Sequence, residues 1–500
     1  MQSKSAPSHT LLAQRRAGVL LHPTSLPGFF SGGDIGHEAY RFVEFLSAAG
    51  CSVWQMLPLG PTHEDGSPYQ CLSVHAANPM LISLHWLVDR GWLDFSNIQA
   101  EPASSAFRKE SLIYAFNIFQ KSADKEWQSK LTAFKNKEQE WLHDYALFMA
   151  IKHEQQGNPW TEWPDKYRLR EPQALKQAAK QFSNHIAQTE FEQFIFFTQW
   201  HELREYAHRH GVYMFGDMPI FVSPDSADVW VSRENFRIDE NGQSTHVAGV
   251  PPDAFSDVGQ RWGNPLYDWN FMQKDNFAWW KLRFKTQLEL FDLIRIDHFR
   301  GLEACWEIPA EEETAMNGVW VKVPGDELLR QLFATYNNLA LVAEDLGLIT
   351  PEVIHLRKAF DLPGMKVLQF AFDGDKGNLY LPYNHETMAV TYSGTHDNDT
   401  TLSWYQNLNG SSRHQLHEYM GQHVNQPQDI CWLMNRMALS SVARLTILTM
   451  QDILQLDGSH RMNVPGTTKG NWVWRYQWDW LPNDLTGRLR HLVDVYGRLA

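Results

Sequence analysis

Cysteine is scarce in this chain: Cys51, Cys71, Cys305 and Cys431 are the four in 500 residues. Scattered so widely, they cannot staple a disulfide scaffold, and none sits in a CxxC pair that would hold zinc. They read as reduced thiols, which suits a cytoplasmic protein. Long apolar runs are also missing, and none approaches the ~20 residues that cross a bilayer. The apolar stretch behind Arg15 and Arg16 covers only residues 17–21 before His22 and Pro23. That is too short for a secretory or twin-arginine signal, so the protein is expected to be unexported and away from membranes.

Positive charge is in deficit. Against 58 Asp and Glu there are 44 Lys and Arg, a formal net charge of −14. Such a surface repels phosphate backbones, which argues against a nucleic-acid partner and for a neutral substrate. Several motifs are absent as well: the GxxxxGK[ST] phosphate loop, the GxGxxG dinucleotide turn, the GxSxG elbow and HExxH. The stretch HQLHE (414–418) has the wrong order for a zinc helix. DGDKG (373–377) is half of a calcium loop without its later ligands and reads as a turn.

Aromatic residues are abundant: 21 Trp, 16 Tyr and 28 Phe. Most are expected to fill a large core. A few suit stacking, because indole and phenol rings offer a flat apolar face with a polar edge, and sugars offer flat C–H faces ringed by hydroxyls.

Eight short, nearly continuous apolar runs punctuate the chain, at 18–26, 52–59, 212–222, 293–299, 339–347, 365–372, 388–397 and 444–453. Continuity of this kind marks parallel strands buried on both faces. Eight of them between helical stretches predict an α/β fold, a (β/α)8 barrel, over a doubly wound open sheet. The spacing is uneven. The gap 63–211 reads as a mostly helical insertion. A second insertion, 223–291, contains a long Pro-, Gly- and aromatic-rich loop at 247–266, the kind of irregular segment that is usually functional. The whole of 1–500 is read as one catalytic unit.

Catalytic groups of such barrels sit at the C-terminal ends of the strands. Acids recur there: Asp217, Asp297, Glu344 with Asp345, Asp397 and Asp452. Arg295 and Asp297 are two apart on one strand and share a face. An adjacent guanidinium would lower the carboxyl pKa, which suits an anionic nucleophile, and equally suits a structural salt bridge. Glu344 follows LALVA, where desolvation would let it keep a proton as a general acid needs; a partner from a neighbouring arginine is the alternative. A poised anion, a protonated glutamate and a third acid together describe retaining glycosidic-bond chemistry. His396, beside Asp397, is read as a donor to a sugar hydroxyl rather than a metal ligand.

The same residues carry a resemblance. GVLLHPTSLPG, VWQMLPLGPT, SPYQ, GDMPIFV, GVPPDAFS, GQRWGNPLYDW, IRIDHFRG, VAEDLG, GMKVLQF, SGTHDNDT, RMNVPGT and NWVWR, in this order from about residue 16 to 475, resemble the 4-alpha-glucanotransferases (amylomaltases, disproportionating enzymes) of glycoside hydrolase family seventy-seven. The resemblance implies a barrel with helical insertions and no C-terminal β-sandwich. It implies Asp297 as nucleophile, Glu344 as acid/base and Asp397 as transition-state stabiliser, with Arg295 and His396 supporting the cleaved sugar. Asp217, Ser67, Tyr69, Asp253, Phe255, Gln260, Trp262, Asn264 and Asn463 would line glucan subsites. Ala254 stands where a larger, often aromatic, residue is expected, which bears on acceptor preference. The implied partners are α-1,4-glucans and maltooligosaccharides, acted on by a monomer or weak homo-oligomer, with neither metal nor organic cofactor. Rival readings are an α-1,4-glucan hydrolase with the same carboxylates, a non-catalytic glucan-binding protein and a metal-dependent barrel enzyme.

Overall fold

The eight apolar runs pair side by side as parallel strands and close on themselves. In the computed structural model, which describes residues 10–252, 256–337 and 339–499, twelve strands occur in chain order. They are β1 Arg16–Leu20, β2 Val53–Gln55, β3 Tyr213–Pro219, β4 His246–Val250, β5 Gln260–Pro265 and β6 Leu293–Asp297, then β7 Ala304–Pro309, β8 Val319–Lys322, β9 Leu341–Ala343, β10 Gly364–Val367, β11 Ala389–Tyr392 and β12 Leu445–Thr449. The closed barrel runs β1-β12-β11-β10-β9-β6-β3-β2. Closure is made by β1 against β12, Gly18 opposite Ile447. The barrel strands are buried along almost their whole length, as expected for a parallel sheet covered by helices.

Between β2 and β3 the chain is helical. Its long helix Ser183–Arg209 packs against Ser105–Ser122, Lys125–Lys137, Leu142–Glu154 and the flank of β3. The helix starts are legible: Ser104 accepts the N–H of Phe107 and Asp124 that of Trp127, satisfying donors that a helix start leaves free. Trp54, Trp160, Trp200, Trp230 and Trp280 are fully buried, so much of the aromatic excess is core.

The segment read as an irregular loop, 247–266, is largely a hairpin. β4 and β5 pair antiparallel, with an irregularity between Val247 and Gly249. β7 and β8, which follow β6, complete a second sheet in the order β5-β4-β7-β8. This sheet was not expected. Its strands are short, β5 opens on exposed Gln260 and Arg261, and β8 is mostly exposed, so these two lack the buried apolar run that marks a barrel strand. No helix among the described residues is long and apolar enough to cross a membrane.

Candidate active site

Strand register brings the acids together. Asp217 on β3 lies opposite Arg295 on β6, and Ile296 lies opposite Ala343 on β9. The ladder continues past β9: the Glu344 N–H donates to the Ile296 carbonyl at 3.1 Å. Glu344 therefore emerges beside Asp297, on strands spaced about 4.8 Å apart. Gly216 is needed next to Asp217, because any Cβ there would run into the ring of Phe291.

Arg295 lies beneath this pair, 5% exposed. Its Nη1 donates to both oxygens of Asp217 at 2.7 Å, and its Nη2 lies 2.8 Å from Asp297 Oδ1. Asp217 is 2% exposed. The Asp297 side chain keeps 30% of its surface open and that of Asp397 47%, which places those two at the cleft. Asp217 also accepts the Tyr69 hydroxyl at 2.7 Å. The Tyr69 oxygen lies 2.8 Å from His396 Nε2, which in turn lies 3.2 Å from Asp397 Oδ2. Asn463 Nδ2 donates to Asp397 Oδ1 at 2.7 Å. One polar chain thus runs Asp297–Arg295–Asp217–Tyr69–His396–Asp397–Asn463.

The electrostatics divide the carboxylates. Burial lifts Glu344 to about 7, against the pull of Arg295 and of the backbone N–H groups of Leu346 and His298, while Asp297 adds to the rise. Burial lifts Asp297 as well, to about 6. Here the expectation of a lowered pKa is corrected. Arg295 does oppose the rise, but its charge is shared with Asp217, and the negative charges of Asp217 and Asp397 add to it. Burial also pushes Asp397 up, yet His396, Asn463 and Arg295 outweigh it and hold Asp397 below the usual carboxylate range. His396 is pulled down by burial and more than restored by Asp397, so its charged form is favoured.

The remaining expected residues divide by position. Ser67 orders the turn that presents Tyr69, whose N–H donates to Ser67 Oγ at 3.4 Å. Trp262 on β5 meets the His298 ring edge to face at 4.8 Å, and its indole N–H donates to Gln260 Oε1 at 3.1 Å. Asn264 is buried and donates to the Val222 carbonyl at 2.7 Å; it braces the hairpin against the end of β3 rather than opening to the cleft. Asp253 and Phe255 lie outside the described residues. Two acids at strand ends belong elsewhere. Asp345 accepts the Met365 N–H at 2.7 Å and pairs with Arg357. Asp452 accepts from Ser393 and Thr401. Both are packing acids.

Sequence reasoning missed His298. It holds a left-handed backbone, φ +52°, directly after Asp297, and its N–H donates to Glu344 Oε2 at 2.7 Å. Its place inside IDHF was the available signal. Arg461, the first residue of RMNVPGT, was missed too; it donates to the Asp397 carbonyl at 3.0 Å. Among the described residues no group of three or more His, Cys, Asp or Glu is placed to hold a metal ion.

This arrangement has counterparts. A family model described as 4-alpha-glucanotransferase matches residues 21–481. A 4-alpha-glucanotransferase from Synechocystis is 46% identical, covering 98% of this chain and 99% of its own length. One from Thermus thermophilus is 45% identical, covering 97% and 99%. The structure of an amylomaltase from Streptococcus agalactiae in complex with acarbose superposes with a TM-score of 0.93 at 36% identity, covering 97% of this chain and all of that one. The chain belongs to the 4-alpha-glucanotransferase family and is a glycosyl-transferring enzyme.

Proposed function

We propose that this enzyme cleaves a maltooligosaccharide or longer α-1,4-glucan, holds the donor part on Asp297, and passes it to the 4-hydroxyl of a second glucan or of glucose. The observation that carries the reading is the placement of Asp297 and Glu344 side by side at the C-terminal ends of neighbouring strands. Retaining enzymes need the two carboxyls only about 5–5.5 Å apart, a spacing that adjacent strand ends suit. Glu344, with its raised pKa, protonates the departing oxygen while Asp297 attacks the anomeric carbon. A glycosyl ester forms and the leaving glucan departs. Glu344, now ionised, takes the proton from the incoming 4-hydroxyl as that oxygen displaces Asp297.

Asp397, held anionic, accepts from ring hydroxyls at the transition state, and Asn463 aims it. Arg295 holds Asp297 from below and His396 donates to the same sugar. Transfer exceeds hydrolysis only if water is kept from the ester while a sugar is held in line. Trp262 is assigned that task, with Phe255 of the same segment as its expected helper. The scarcity of cysteine supports a reducing, cytoplasmic setting, and Asp297, Glu344 and Asp397 all come from one chain, which supports action as a monomer or weak homo-oligomer.

The test is incubation with maltotriose alone, followed by chromatography. Glucose together with chains longer than the substrate supports transfer; only shorter sugars would mark a hydrolase and refute the reading. Asp297→Asn and Glu344→Gln should each abolish both products.

A further inference from the structure

One aromatic side chain beside the site is left without a role by the chemistry above. Trp472 has φ +65°, a left-handed backbone that a bulky residue rarely adopts and that is found where the surrounding structure enforces it, often at functional sites. Its N–H donates to the Met462 carbonyl at 2.8 Å. Nearby, the Val464 N–H donates to Asn471 Oδ1 at 3.0 Å. These two bonds tie the ends of segment 462–472 into one closed loop.

The two ends of that loop meet the same polar chain at different points. Asn463 holds Asp397 Oδ1, and its N–H donates to the His396 carbonyl at 3.2 Å. The Trp472 indole lies 5.9 Å from the Tyr69 ring and 6.2 Å from the His396 ring. Tyr69 and His396 are themselves stacked, 5.2 Å apart and 15° from parallel. Three rings therefore form one cluster, and within it lie the links from Tyr69 to Asp217 and from His396 to Asp397. The Tyr69 hydroxyl can serve Asp217 and His396 together only if its ring stays in one place. Tyr69 comes from the loop after β2 and His396 from the loop after β11, so no shared strand register fixes their spacing.

We propose that Trp472 is a positioning residue of the cleaved-sugar subsite, locking Tyr69 against His396 so that Asp217 and Asp397 are held by a single hydrogen-bonded chain. The inference rests on the reading of the site given above. It predicts that Trp472 acts through Tyr69, and a double-mutant cycle tests that directly. The variants are Trp472→Ala, Tyr69→Phe and both together, assayed for chain lengthening from maltotriose, with Trp472→Phe as the conservative variant.

Trp472→Ala should lower kcat by about 10- to 100-fold, the scale of a misplaced catalytic group, with a smaller change in KM. Trp472→Phe should recover most of that loss. The double variant should be little worse than Tyr69→Phe alone, because the two substitutions break the same link. Losses that add to within about twofold overturn the proposal, as does a Trp472→Ala kcat within about twofold of the parent. Melting temperatures are measured alongside; if Trp472→Ala does not fold, Trp472→Leu takes its place in the cycle. Absence of longer chains from the parent enzyme would instead strike the reading of the site itself.

Discussion

Glu344 accepts the backbone N–H of His298 at 2.7 Å, so the carboxyl on one strand pins the residue that follows Asp297 on the next. Its other oxygen accepts the Leu346 N–H at 3.0 Å. The left-handed turn at His298 presents that N–H. Glu344 and Asp297, the proposed acid/base and nucleophile, thus share one backbone junction, and neither can drift without the other.

This coupling sets a pH dependence. The proposed mechanism needs Asp297 ionised and Glu344 protonated. Asp297 is raised to about 6 and Glu344 to about 7, so that form is most populated between those values. Below the window Asp297 takes up a proton; above it Glu344 loses one. A bell-shaped profile of kcat/KM against pH is expected, with a narrow summit, its two limbs belonging to the interacting pair. A plateau extending well above pH 8 would count against Glu344 as the acid.

Arg295→Gln moves that bell. Arg295 opposes the rise of both Asp297 and Glu344, so without its charge both take up protons more readily and both limbs shift to higher pH. The same change leaves Asp217 buried without its ionic partner, so kcat falls by about 100-fold or more. Unchanged limbs in the pH profile would show that Arg295 does not tune these carboxyls.

Trp262→Ala should shift the partition of the glycosyl ester toward water. Trp262 packs on His298, next to Asp297, on the hairpin that bears Gln260. The expected change is a fall of about tenfold in the transfer-to-hydrolysis ratio, with the rate of donor cleavage less affected. Product ratios from maltotriose measure it, and an unaltered ratio would remove Trp262 from acceptor handling.

Asp452→Ala tests stability rather than chemistry. Asp452 is buried and accepts from the hydroxyls of Ser393 and Thr401 and from the Thr401 N–H. Removing it strands these donors at a cost of roughly 3 kcal/mol, since each unsatisfied buried group costs about 1–3 kcal/mol. Denaturant or thermal unfolding should show the loss, while the pH profile of the folded fraction stays where it was. A normal melting temperature would contradict its structural role.

Glucan transfer should survive exhaustive treatment with a chelator, since proton transfer and the covalent step are assigned to carboxyls. Activity lost to EDTA and restored by a divalent ion would favour the rival metal-dependent reading.

Much of the barrel was legible because a parallel strand covered on both faces must be apolar along its length; β1, β3, β6, β11 and β12 each lie within or overlap such a run. The second sheet was not legible. β5 begins with exposed Gln260 and Arg261, β8 is Val-Trp-Val-Lys with little burial, and β4 finds its partner β7 only after the chain has built β6. Acids at strand ends were visible in the sequence, but their division was not: Asp345 and Asp452 look like Asp297 and Asp397 until the partners Met365, Arg357, Ser393 and Thr401 are in place.

By itself, then, the order of residues determined the eight strands and the positions of Arg295, Asp297, Glu344 and Asp397 at or just past strand ends, because apolar periodicity reports burial within a few residues of itself. Only the tertiary structure decided what those groups are worth. The Arg295 charge is divided between Asp217 and Asp297, and burial raises Asp297 where a neighbouring arginine alone would have lowered it. A carboxyl's hold on its proton depends on every charge and dipole within a few ångströms, and around this cleft those come from positions 217, 295, 298, 344, 396 and 397, which only barrel closure brings together.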